Sequence, residues 1–200
     1  MEEIFGKDFY SVVIVGNWNI PIFNPEWVRA NLFTSQEKDM SVEYPTQIIG
    51  ASFRFTQDPL CFSIVNNRMQ LSITENTDAA RLAAIEFMYL LLRKLVYTPI
   101  ASTGINFKFK ETTDADNLHS ETELQMDMMQ PIISKIITEK YKYSENVTLT
   151  YEKVIGESFI THDFNYSFVT RDVNALLQIL EDEELINSLH QKTKELLHIA

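Results

Sequence analysis

The chain is poor in the residues that mark several large classes of protein, and each shortage excludes something. A single cysteine, Cys61, rules out an internal disulfide framework and any zinc site built on several thiolates. Five glycines and six prolines among 200 residues leave no material for collagenous or linker-like structure. They also leave no G-x-G-x-x-G or G-x-x-x-x-G-K loop, in which backbone N–H groups approach a phosphate. No apolar run approaches the roughly 18 to 20 residues of a membrane span; the best, Leu82 to Leu92, is shorter and contains Glu86. Basic residues are scarce as well. Seventeen Lys and Arg against 28 Asp and Glu give a formal charge of −11, which opposes a phosphate backbone and disfavours nucleic acid as a partner. The opening Met1-Glu2-Glu3-Ile4 has no basic and apolar leader pattern, so no signal peptide and a cytoplasmic location are expected.

What the chain does contain is core material. Hydrophobic residues make up 45% and aromatics 12%, enough for a sizeable core, and the expectation is a single α+β domain over residues 1–200. Residues 9–15 carry apolar side chains at even and odd positions and read as a central strand. Asn24-Pro25 reads as a cap and first turn of a short helix to Phe33, and residues 48–55 as a half-buried strand. Leu60–Val65 and Arg68–Thr74 flank Asn66-Asn67, a pair able to supply the two positive φ angles of a type I′ hairpin. That turn predicts Ile64 opposite Met69, Phe62 opposite Leu71 and Leu60 opposite Ile73, with Ser63 and Cys61 meeting Gln70 and Ser72 on the other face.

Thr77 or Asp78 then caps a helix to about Tyr97, with Ala84, Phe87, Met88, Leu91 and Leu95 in one arc that Leu82, Ile85, Tyr89 and Val96 widen. Ile105, Phe107 and Phe109 alternate in a further strand. The acidic stretch 111–130 reads as solvated, with a capping box at Ser120-Glu121-Thr122-Glu123, and Pro131 as opening a helix that buries Ile132, Ile133, Ile136 and Ile137. Lys135, Lys140 and Lys142 then fit that helix's C-terminal end. Val147, Leu149 and Tyr151 begin a strand; Ile160, His162, Phe164, Tyr166 and Phe168 alternate in the next. Asp172 caps a last helical region to about His198, broken near 181–184, with Leu176, Leu177, Leu180, Ile186, Leu189 and Leu196 inward. The expected architecture is an antiparallel or mixed sheet of about six to seven strands with helices mainly on one face. Its βββαβ and αββα halves read as distant echoes of each other.

Residues able to carry chemistry are few. Gly156-Glu157-Ser158 lacks the second glycine of a nucleophile elbow and reads as a hairpin turn. His190 and His198 are eight residues apart, about 12 Å of helical rise, and read as solvated surface. The acids at 181–184 and at 114 and 116 do not converge, so no metal and no cofactor is expected. Trp18, Phe23 and Trp27, on the irregular segment after the first strand, form either a lid on one end of the core or a contact surface for a partner. His162 falls on an apolar face with Phe164 and Tyr166. With Phe107 these residues are the candidate lining of a pocket, and Asp163, pointing the other way, cannot pair with His162.

The order of elements resembles a sporadically distributed, uncharacterised bacterial protein family. The likeness lies in the early strand, the amphipathic helix, the strand Ile100-Ala101-Ser102-Thr103-Gly104-Ile105-Asn106-Phe107, and the closing strand Phe164 to Phe168 followed by a helix over Asn187 to Leu197. The Arg and Tyr that usually flank the glycine of that strand are replaced by Ser102 or Thr103 and by Asn106. The family has no established chemistry, so the resemblance implies an α+β fold and transfers no functional residue. The function expected is a non-enzymatic interaction subunit or adaptor of a bacterial or phage cytoplasmic assembly, with a protein partner or a homo-oligomer. The alternative is a binder or hydrolase of a small apolar ligand, with a pocket between sheet and helix.

Overall fold

The computed structural model describes residues 10–33, 38–44, 52–75, 77–112, 135–156, 159–169 and 172–197. In chain order the elements are β1 (Tyr10–Gly16), a 3₁₀ turn (Ile20–Ile22), α1 (Pro25–Asn31), β2 (Ser41–Glu43), β3 (Ser52–Gln57), β4 (Leu60–Val65), β5 (Arg68–Ile73) and α2 (Asp78–Lys94). There follow β6 (Ile100–Thr112), β7 (Lys135–Lys142), β8 (Val147–Ile155), β9 (Phe159–Phe168), α3 (Val173–Glu181) and α4 (Glu183–Leu196). The strands form one sheet in the order β2-β3-β4-β5-β1-β6-β9-β8-β7, every neighbouring pair antiparallel.

Register follows the side-chain pattern. One row crosses all nine strands as Val42, Phe55, Phe62, Leu71, Val12, Ile105, Tyr166, Leu149 and Tyr141. From Phe55 to Leu149 this row is buried. The next row, on the opposite face, reads Ser41, Thr56, Cys61, Ser72, Ser11, Asn106, Asn165, Thr150 and Lys140. Side chains alternate between the faces of a strand, so the helices can cover only the first row. α2 packs on β4 and β5 and against α1 and α3. α4 lies over β6 and β9, where the His190 ring stacks on Phe107 and Thr193 Oγ1 is 2.9 Å from the Tyr166 hydroxyl.

The chain is laid down twice in the same way. β1 is followed by a meander whose last strand, β5, returns to pair with it, and then by α2; β6 is followed by the meander β7-β8-β9, whose last strand returns to β6, and then by α3 and α4. The two first strands meet antiparallel at the centre, with Val12 opposite Ile105. The two halves therefore divide after α2, not at the boundary the order of elements implied.

The hairpin register appears as expected at every pair, from Leu60 opposite Ile73 to Val65 opposite Arg68. Of the turn residues only Asn66 takes a positive φ, 51°, so the turn is not type I′. Asn24 caps α1 by accepting the Trp27 N–H, Thr77 caps α2 through Ala80, and Asp182 marks the break between α3 and α4 by accepting from Leu185. α2 ends at Lys94, before Tyr97, and Leu82 and Val96 are exposed instead of widening its buried arc.

Two departures raise the strand count from the expected six to seven to nine. β2 is three residues long and, among the described residues, pairs only with β3. β7 replaces the C-terminal part of the helix expected after Pro131; residues 113–134, with the capping box and Pro131 itself, lie outside the described residues. Ile136, Ile137 and Thr138 are β-branched, a preference that favours the pleated strand, and pairing with β8 decides between the two readings. Ile136 is accordingly exposed, and Lys140 and Lys142 sit on an edge strand instead of at a helix end.

Candidate functional site

The aromatics after β1 form part of the core. Trp18 is 6% and Phe23 1% exposed; Phe23 meets Phe62 at 5.9 Å and Trp27 at 5.5 Å between ring centroids. Side chains so enclosed have no surface to present, which corrects the contact reading for Trp18 and Phe23; Trp27 is half-buried against the same core. The lid forms where Phe23, just before the Asn24 cap of α1, packs on Phe62 of β4, and α1 itself packs against α2.

The four residues proposed as a pocket separate. Phe107 and Tyr166 are fully buried, Phe107 between the rings of Tyr10, Tyr166 and His190. Phe164 instead helps line a groove of about 480 Å³ that runs between β7, β8 and the end of α4. Tyr141, Tyr143, Leu149, Tyr151 and Leu196 supply most of its apolar wall, and Glu139, Lys142 and Lys192 its polar rim. His162 lies beside this groove. Its Nδ1 is 2.8 Å from the Tyr151 hydroxyl, and the two rings stack at 6.1 Å. Asp163 points to the opposite face, where it meets Lys108 Nζ at 3.1 Å, so no His162–Asp163 dyad exists.

A second recess, of about 520 Å³, opens between α2 and α4. Asp78, Arg81, Asn187, His190 and Gln191 are its polar lining. The Arg81 guanidinium is buried and paired with the exposed Asp78 carboxylate one helical turn away. Burial first, then the positive charges of Arg81 and Lys194, push the His190 imidazole down to about 4, so it is neutral near pH 7. The Tyr10 phenol, wholly buried under the same helices, is raised far above its usual range by desolvation, against the pull of Arg81. The recess thus offers a neutral imidazole and a compensated arginine, and the Tyr10 phenol does not line it. Among the described residues no group of three His, Cys, Asp or Glu is placed to hold a metal ion. Among them, too, no helix is long and apolar enough to cross a membrane.

Two features of this recess, Arg81 and His190, carry a sequence signal in their helical phase. Arg81 lies three residues before Ala84 and seven before Met88, so its helical phase already put it on the buried stripe. His190 was read as solvated, although it falls four residues after the buried Ile186. No family model and no curated protein matches the chain. Function therefore rests on geometry.

Proposed function

We propose that the protein is a non-enzymatic interaction subunit or adaptor of a bacterial or phage cytoplasmic assembly, and that it meets a partner protein at the β7 end of its sheet. One observation carries the reading: four of the nine large apolar side chains that are exposed among the described residues lie there. Ile136, Tyr141, Tyr143 and Leu196 are 62, 49, 40 and 49% exposed, and the last three line the groove. Tyrosines with an apolar body and a wet hydroxyl are enriched at protein interfaces.

The test is a photo-crosslinking amino acid placed at Tyr141 and, as control, at Tyr97, which is more exposed but lies far along the chain in the turn after α2. Irradiation in the native host is expected to link position 141, not 97, to one protein. Equal labelling from both positions would contradict the reading. The groove's volume also fits a small apolar ligand beside His162. That second reading predicts a bound small molecule in the native mass of the purified protein, and no protein adduct at 141.

A further inference from the structure

An open sheet has two edges, and here they differ. β2 runs for three residues, too short to offer much backbone to a newcomer. β7 runs for eight, and among the described residues no strand pairs with it on the side away from β8. Its register splits its side chains cleanly. Ile137, Glu139 and Tyr141 share the helix-covered face, in line with Lys153, Tyr151 and Leu149 of β8, while Ile136, Thr138, Lys140 and Lys142 take the other. Lys142, at the strand's end, also borders the groove.

Charge selects the occupant. In a chain of formal charge −11, this strand holds Lys135, Lys140 and Lys142 against the single acid Glu139. A second copy would bring a strand of net charge +2 onto another of +2, and net like charge opposes pairing. An acidic segment is drawn to the same place. We infer that β7 receives an extended acidic segment of a partner protein as a tenth strand. The inference rests on the interaction reading above and narrows its partner. Main-chain hydrogen bonds along β7 supply affinity, and alternation supplies selectivity. The incoming acids stand on the face of Lys140 and Lys142, and the incoming apolar residues on the groove face beside Tyr141.

The probe is a fluorescein-labelled eight-residue peptide, capped at both ends, that alternates Glu with Val and Ile. Saturable binding to the full chain is expected, weakening as salt is raised and at least tenfold weaker for the Lys140→Glu/Lys142→Glu variant. Both lysines are exposed, so that variant is expected to fold normally, checked by its thermal midpoint. The same peptide N-methylated at alternate backbone nitrogens is expected not to bind. Equal affinity for the N-methylated peptide, or for one with Lys in place of Glu, would overturn the inference. So would a dimer in native mass that the peptide fails to dissociate, which would give the edge to a second copy. Binding that emerges only after deletion of residues 113–134 would assign the edge to the chain's own acidic stretch and overturn it too. If the peptide fails while a crosslink at position 141 persists, strand addition falls and the interaction reading stands.

Discussion

His190 owes its depressed pKa to burial against Phe107 and to the nearby charges of Arg81 and Lys194. The unfolded chain, with an imidazole near 6.5, binds a proton between about pH 6.5 and 4 that the folded chain refuses. Stability from this residue is therefore complete above about pH 6.5 and is lost as the pH falls towards 4. With solvent screening allowed for, the loss is on the order of 2 kcal/mol. Urea unfolding of the wild type and His190→Gln across pH 4 to 7 checks it: the gap between the two should narrow as the pH falls. Phe87, buried between Phe33 and Phe62, is expected to cost about 3 to 5 kcal/mol when truncated to alanine. Trp18→Ala should behave in the same way, as a core residue; an unchanged thermal midpoint would return Trp18 to the surface. Its burial was not readable locally, because an aromatic in a loop serves as a lid or a contact depending on what packs beneath it.

Two glycines on neighbouring strands separate backbone crowding from side-chain crowding. A Cβ at Gly16 would lie 2.8 Å from the Pro99 carbonyl oxygen, which is held by the Asn17 N–H at 2.9 Å, and 3.2 Å from the Trp18 ring. At Gly104 the nearest atom is Asn165 Nδ2, 3.0 Å away at the end of a side chain that donates to Asn106 and need shift only by a few tenths of an ångström. Gly16→Ala is therefore expected to cost about 1 to 3 kcal/mol and Gly104→Ala distinctly less, measured by chemical denaturation. Elements with strong local signals were legible from sequence. The β4–β5 register, the caps at Asn24, Thr77 and Asp172 and the alternation of β9 all came from residues a few positions apart. β7 was not legible, since four isoleucines within six residues fit a helix's stripe, and only the partner strand β8 turns Ile136 outward. β2 escaped because three residues carry no period. Leu196, seven residues after the buried Leu189, shares its helical side but lies where α4 borders the groove, and is therefore exposed.

Across the whole molecule, a repeated strand, meander and helix arrangement builds one wide sheet around the β1–β6 pair. Its two ends are finished differently. On the β2 side of the centre, Phe23 packs on Phe62 of β4 and Phe33 on Phe87 of α2, while Tyr44 beside β2 is exposed; at the β7 end Tyr141 and Tyr143 are exposed along a groove beside the end of α4. The candidate site lay beyond sequence reading for this reason. Phe164 lines the groove and His162 lies beside it, but the groove depends on where α4 ends relative to β7 and β8, which no local pattern encodes. Charge follows the same asymmetry, with lysines on β7 in an acidic chain. The most direct test is the native mass of the tagged protein purified from its host at physiological salt, beside the Tyr141→Ser/Leu196→Ser variant. The account predicts a stoichiometric protein partner on the wild type and its loss from the variant, with the thermal midpoint unchanged. A partner retained by the variant, or a monomer carrying a small molecule, would contradict it.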